Sequence, residues 1–362
     1  MTEATANSAN SVNYRDPTLI GIGASAVLTA LVIIGSRNLE HFDSALFGYL
    51  IASIVAFGAI FFRYALWLQR PATRAYFMRG LKLFFQRKKF ARNTIDATKT
   101  VGINMLAQQF IFKRAKSRWL MHFLIMWGCI ISAAVTFPLV FGWVHFKLEG
   151  DMGYRAYLFG FAGQLMEGRS LIAWVTFHAL DFSALMVLAG CAIAIHRRLK
   201  DRGAIAVQRF LVDFVPHLLL IAICVSGLML TASSLYFGGY MYSFIALTHQ
   251  AVVIMTLFFL PFGKLFHIVQ RPASIGVELY QQRAKEMEQA KCLRCGVEFA
   301  SVMWLGDLKS VVEKVGFDYT MENGEKLQDY CPRCKRVMRG LAYSGLTDRP
   351  DKVFHGSRAD NQ

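Results

Sequence analysis

The sequence predicts an all-α integral membrane protein: about six transmembrane helices, the last four forming one bundle, followed by a small cysteine-rich domain outside the membrane. Three observations predict it. Of the 362 residues, 55% are hydrophobic and 14% aromatic, and the mean hydropathy of +0.36 exceeds that of ordinary soluble domains. Six runs approach the about 20 apolar residues that a bilayer core requires: Leu19 to Gly35, Ala45 to Leu68, Trp119 to Phe146, Leu171 to Ile195, Leu211 to Leu235 and Phe244 to Ile268. Four of the seven cysteines fall as two C-x-x-C pairs beyond the last run.

In chain order, residues 1–17, "MTEATANSANSVNYRDP", are polar and lack a signal-peptide pattern, so they read as a disordered cytoplasmic tail. Residues 18–68 supply two helices. Residues 69–117 interleave Leu, Phe and Met with cations at helical spacing. That pattern suits a helix lying on the inner leaflet, and it equally suits a helix that docks a partner. Residues 118–270 hold the four-helix unit, and 271–291, with "SIGVELYQQRAKEMEQAK", read as an amphipathic linker helix. Residues 292–345 form the cysteine domain, and 346–362 are a tail. There is no soluble nucleotide-binding fingerprint and no short internal repeat.

The net charge of +16 is unevenly spread. From Gln69 to Ser117 there are twelve Lys or Arg against one acid, Asp96, and the loop "HRRLKDRGAIAVQR" between spans four and five is also basic. The alternate loops hold few cations. This asymmetry places both termini in the cytoplasm, in a bacterial or archaeal cytoplasmic membrane, with the cations facing anionic lipid or an acidic partner subunit. No recognisable nucleic-acid-binding module accompanies the charge, so no nucleic-acid partner is expected.

Nine histidines are present, seven of them in or at the ends of the spans. In "HQAVVIMTLFFLPFGKLFH", His249 and His267 lie eighteen residues apart. On a continuous helix that is five turns, so the rings share one face about 27 Å apart. One imidazole near each membrane face suits axial ligation of two stacked haems. The bland alternative is an interfacial histidine at each helix end. Span four repeats the spacing with His178 and His196, but His196 heads the cationic turn "HRR" and reads as a headgroup neighbour. His178 lies two turns inside and is followed by Asp181. An intramembrane acid is a site candidate, here for orienting a ligand ring or taking a quinol proton. His122 and His217 sit toward the inner side, and His145 marks the outer end of span three.

Spans three to six resemble the membrane cytochrome b family typified by the nitrate reductase gamma subunit. Relatives serve heterodisulfide-reductase-like and sulfite-reductase-linked complexes. The resemblance covers about residues 115–280 and rests on "SRWLMHFLIMWG", "DFVPHLLLIAICVSGLMLT" and above all "LPFGKLFHIVQRP". It implies haem ligation by His249 and His267, with His122 as the second ligand of the inner haem. Where the family places a further histidine for the outer haem, this chain has Ser132. Depth then nominates His178 as the partner of His249, with His217 in reserve for the inner haem and His145 for the outer. The resemblance also implies quinone as a mobile substrate.

Cys129, Cys191 and Cys224 lie singly in spans and read as small core residues. "CLRCG" (Cys292, Cys295) and "CPRCK" (Cys331, Cys334) are a metal signature in a reducing compartment. Four thiolates suit one zinc in a ribbon-like domain or one rubredoxin-type iron. Lys335, where rubredoxins place glycine, favours zinc. The sequence thus points to a di-haem b-type cytochrome subunit. It would pass electrons between cytoplasmic iron–sulfur or flavin subunits and the quinone pool. The rival readings are a proton-coupled transporter or channel and a haem-free sensor.

Overall fold

The computed structural model describes residues 12–150, 153–321 and 323–344 and is mostly helical. Helix α1 (Arg15–Gly35) is followed by a 3₁₀ turn (Ser44–Leu46) leading into α2 (Phe47–Leu68). Next come α3 (Pro71–Phe84), α4 (Phe90–Thr100), a π-helical turn (Val101–Leu106), a short turn (Gln109–Phe112) and α5 (Lys116–Val140). Strands β1 (Val144–Glu149), β2 (Gly153–Leu158) and β3 (Phe161–Glu167) precede α6 (Leu171–Phe177) and α7 (Ala179–Lys200). A π turn (Phe210–Phe214) leads into α8 (Val215–Tyr236), and α9 (Tyr242–Phe262) follows. The chain continues with α10 (Ala273–Lys285), β4 (Gln289–Lys291), β5 (Glu298–Ser301), α11 (Val302–Lys314) and α12 (Pro332–Tyr343).

Among the described residues, six helices are long and apolar enough to cross a membrane: α1, α2 with its 3₁₀ turn, α5, α7, α8 with its π turn, and α9. Their outward faces expose large apolar side chains such as Ile22, Leu185 and Phe244, a surface suited to lipid and not to water. The helix that the sequence reading started at Leu19 begins at Arg15, inside the segment read as tail. Residues 1–11 and 345–362 lie outside the described residues.

Small residues set the helix spacing. A Cβ on Gly128 would meet the Ser183 carbonyl oxygen at 2.8 Å, and one on Gly190 would meet that of Met121 at 2.9 Å, so α5 and α7 pack backbone to backbone. Ser132 and Ser183 hydroxyls bond across this contact at 2.7 Å. Cys191 and Cys224 are buried in the adjoining core with Cys129 against it, as small apolar side chains.

Two features depart from the all-α expectation. Span three stops at Val140, and the following residues form an antiparallel meander, β1–β2–β3, before α6. Gly142, at φ +66°, turns the chain out of α5, and Gly150 and Gly160 close the two hairpins in the same left-handed region. His145 therefore sits on a strand, not at a helix end. The other departure is in span six. Helix α9 ends at Phe262, because Pro261 supplies no N–H and Gly263 is extended (φ −89°, ψ −169°). His249 and His267 thus do not share one unbroken helix, and the five-turn argument fails for His267.

The chain forms two compact units: Asn13–Leu66 with Val101–Arg271, and Trp67–Thr100 with the chain from Pro272 onward. The second unit joins pieces that the sequence reading kept apart. Within it α3 crosses α10 at Gly80 and Gly276, and Leu83, Leu279 and Tyr280 form a core with Tyr76, Met303 and Trp304 around it. Arg79 pairs with Asp307 at 2.5 Å, and the Tyr280 hydroxyl donates to the same carboxylate at 2.9 Å. Arg283, 2% exposed, donates to Asn93 Oδ1 at 2.8 Å and to Asp96 Oδ2 at 2.6 Å, tying α10 to α4. One face of α3 is thus docked on a helix of its own chain.

Candidate functional site

The cysteine cluster is built from a hairpin and a helix start. Strands β4 and β5 hold the first pair at their tip, where Gly296 takes φ +70° and donates its N–H to the Cys292 carbonyl at 2.9 Å. The second pair opens α12, with Cys331 as N-cap and its Sγ accepting from the Cys334 N–H at 3.4 Å. The four sulfurs all lie within 4.8 Å of one another, and Cys295 and Cys331 are 3.7 Å apart. Four sulfurs about 2.3 Å from a tetrahedral ion would be about 3.8 Å apart, so the cage is sized for one zinc or iron. Burial pushes the Cys292 thiol up, but the N–H groups of Cys331, Cys295 and Arg294 outweigh it and bring it down to about 6. Burial and its sulfur neighbours push Cys334 the other way. One thiolate is thus ready to receive a cation, and the remaining protons leave as the metal binds. Tyr330 and Met338 are buried around the cluster with Phe299 and Leu327 against it, a core too small to hold the segment unaided.

In the membrane-spanning unit, His122 on α5 and His267, just past the break in α9, lie side by side with ring centroids 6.3 Å and planes 68° apart. Each ring is held through Nδ1. His122 Nδ1 meets Gln108 Oε1 at 3.1 Å, and His267 Nδ1 meets the Lys264 carbonyl at 2.7 Å. Both acceptors leave Nε2 with its lone pair free. Gln108 is 2% exposed and stands in the left-handed region at φ +51°, with Nε2 against the Met126 sulfur. The indoles of Trp119 and Trp127 hold its loop by donating to the carbonyls of Ala107 and Leu106.

His178 stands at the junction of α6 and α7. Its N–H donates to the Trp174 carbonyl and its carbonyl accepts from Phe182, so the two helices run on and the ring lies two turns inside the joint rod. Its Nδ1 meets Asp181 Oδ2 at 2.8 Å, and the other carboxylate oxygen accepts from the Thr231 hydroxyl at 2.7 Å. His249, two turns into α9, meets the Ser226 hydroxyl through Nδ1 at 2.9 Å, while that hydroxyl donates to the Ala222 carbonyl at 2.6 Å. Both rings are therefore anchored on α8, through side chains five residues apart. The Ser132 hydroxyl is engaged with that of Ser183 in closing α5 onto α7.

The remaining histidines divide. His217 Nδ1 donates to the Asp213 carbonyl at 2.8 Å, beside a nearly buried carboxylate that holds Lys264 at 2.5 Å and Arg198 at 3.3 Å. His196 is exposed among cations. His145 stacks on His41 in the sheet region. The sequence reading missed Gln108, Ser226 and Thr231. Each polar side chain is unremarkable as a residue and informative only by what it touches. Comparison of the chain with protein-family models, curated proteins and solved structures found no match.

Proposed function

We propose that the chain is the membrane subunit of an oxidoreductase, a di-haem cytochrome of b type resembling the nitrate reductase gamma subunit. It carries electrons between cytoplasmic iron–sulfur or flavin subunits and the quinone pool. The proximity of His122 and His267 carries the reading. His122 and His267 would each offer Nε2 to one haem iron, and two imidazoles sharing an iron need ring centres roughly 6 Å apart. The observed separation is 6.3 Å. With both Nδ1 atoms engaged, the residues present fit the group. When bound, haem supplies one-electron carriage, and the chain's part is to hold, shield and tune it.

His178 and His249 are the ligands of the second haem in this reading. Asp181 is then spent on two hydrogen bonds, one to His178 and one to Thr231, and serves as the orienting acid of its ligand rather than as a quinol base. Its carboxylate, itself held by Thr231, would fix the His178 ring in one orientation. In this reading the basic segments lie on the cytoplasmic side, as do both termini. The four-cysteine site holds zinc in this reading, because Lys335 lies inside α12 and the second pair starts a helix instead of a glycine-closed loop. A reduced-minus-oxidised spectrum of the purified protein, with quinol as reductant, tests the proposal. A b-type α-band that quinol develops supports it, and a colourless protein at full purity refutes it.

A further inference from the structure

We propose that Arg63, on α2, is the positioning residue for His267: it closes the broken end of α9 and so fixes where the His267 ring stands. Arg63 lies well before residue 115, outside the stretch that carries the family resemblance, so the N-terminal spans take part in the histidine site. Its consequence for haem rests on the di-haem reading. The clamp itself does not.

The break creates the need for a clamp. Pro261 has no N–H and Gly263 is extended, so the helical ladder stops and the carbonyls at its end lose their rungs. Away from water such carbonyls need a donor from the protein itself. Arg63 supplies it: Nη1 donates to the Pro261 carbonyl and stands 3.3 Å from the Gly263 carbonyl oxygen. A planar fork with five N–H groups can serve two carbonyls at once, which a single ammonium does less well. The guanidinium carbon also lies 4.4 Å from the centre of the Phe266 ring. Phe266 is 2% exposed and immediately precedes His267. A cation over an aromatic face is held more firmly where water is excluded.

The helix α2 is laid so as to deliver this side chain. A Cβ on Gly48 would meet Gln250 Nε2 at 2.6 Å, so α2 touches α9 there. Further along both helices, Arg63 meets Pro261. The two helices therefore run in the same direction, and the contact ends at the break. Beyond it a single 3₁₀ turn, Lys264–Phe266, joins Gly263 to His267. That turn is held on its other side by Lys264, whose Nζ meets Asp213 at 2.5 Å. The Lys264 carbonyl in turn meets His267 Nδ1 at 2.7 Å. Side-chain contacts thus replace the backbone rungs that an unbroken helix would give His267. Arg63 also keeps a positive charge beside the residue next to that ring, which favours the reduced state of an iron held there.

Hydrogen exchange of the full-length protein in detergent, read by mass spectrometry, tests the clamp. Arg63→Met keeps the length but loses the charge and every donor. It should speed exchange across residues 262–270 at least ~10-fold while α5 and α8 stay as protected as in the wild type. Arg63→Lys, which keeps the charge without the fork, should fall between the two. In haem-loaded protein, Arg63→Met should weaken retention of one haem about 10–100-fold or lower its potential alone. In Arg63→Lys the electron paramagnetic resonance g-values of that one oxidised haem should move, since they follow the angle between its two imidazole planes. If Arg63→Met fails to fold, Arg63→Lys decides by the same readouts. Unchanged exchange over 262–270 in a folded variant would overturn the proposal, and so would protection lost equally through α5 and α8. Local loosening with both haems, both potentials and all g-values unmoved would overturn it too. A wild type without haem would sink the di-haem reading alone and leave the exchange comparison to decide on Arg63.

Discussion

Gln108 offers the most discriminating test of how His122 is held. It accepts from His122 Nδ1 at 3.1 Å, is almost completely buried, and stands at φ +51°. Gln108→Met keeps the length and the same backbone demand but removes the acceptor, leaving the His122 N–H unpaired in an apolar site. Loss of such an outer partner costs about 10–100-fold in cofactor affinity, or about 1.4–2.8 kcal/mol. In the proposed cytochrome, Gln108→Glu restores an acceptor as a carboxylate, so haem should be kept and one potential should fall while the other stays unmoved. Haem per protein by pyridine haemochrome, with a redox titration of each variant, reads both effects. Full occupancy and an unshifted pair of potentials in Gln108→Met and Gln108→Glu would refute the reasoning.

The remaining predictions concern other parts of the chain. Arg283→Met should destabilise the unit containing α3, α4 and α10 by about 1–3 kcal/mol, since it leaves the buried Asn93 Oδ1 without its donor, while Asp96 and Glu286 keep Arg92. Hydrogen exchange should place the loss in residues 71–100 and 273–285 and leave α5 to α9 protected. Cys331→Ser should release the metal and unfold the region around Tyr330 without changing any haem spectrum, as elemental analysis and the spectrum would show. In the metal-free domain the Cys292 pKa is lowered from its ordinary value to about 6. The thiolate that a metal needs is therefore present at pH 8 and is lost as pH falls through about 6. Zinc retained after desalting at pH 8 and at pH 5, read by elemental analysis, should be lower at pH 5. A cysteine introduced near Arg92 should resist membrane-impermeant label in intact cells, and strong labelling would reverse the assigned topology.

The membrane helices were legible because hydrocarbon leaves little choice: a run of about 20 apolar residues has to close its backbone bonds within itself. The cysteine cage was legible from spacing, since two C-x-x-C pairs need only one hairpin and one helix start to converge. The sheet after α5 was missed because Trp143 to Phe146 continues the apolar run, and only the glycines at 142, 150 and 160 mark turns. The break at Gly263 was missed because the residues around it remain apolar while Pro261 alone interrupts the bonding. Histidine spacing along a helix therefore gave a poor reason for His267, whose ring meets His122 through a chain break. The unit joining Trp67–Thr100 to the chain after Pro272 was illegible, since Arg283 and Asn93 are 190 residues apart and no local pattern pairs them. Gln108, Ser226 and Thr231 fell outside sequence reasoning for the same cause.

Haem content of four single variants tests the central claim most directly. His122→Ala and His267→Ala should each remove one and the same b-type haem, identified by its potential. His178→Ala and His249→Ala should each remove the other, leaving about half the pigment in every case. Full pigment in His122→Ala or His267→Ala would contradict the inner pairing on which the account rests.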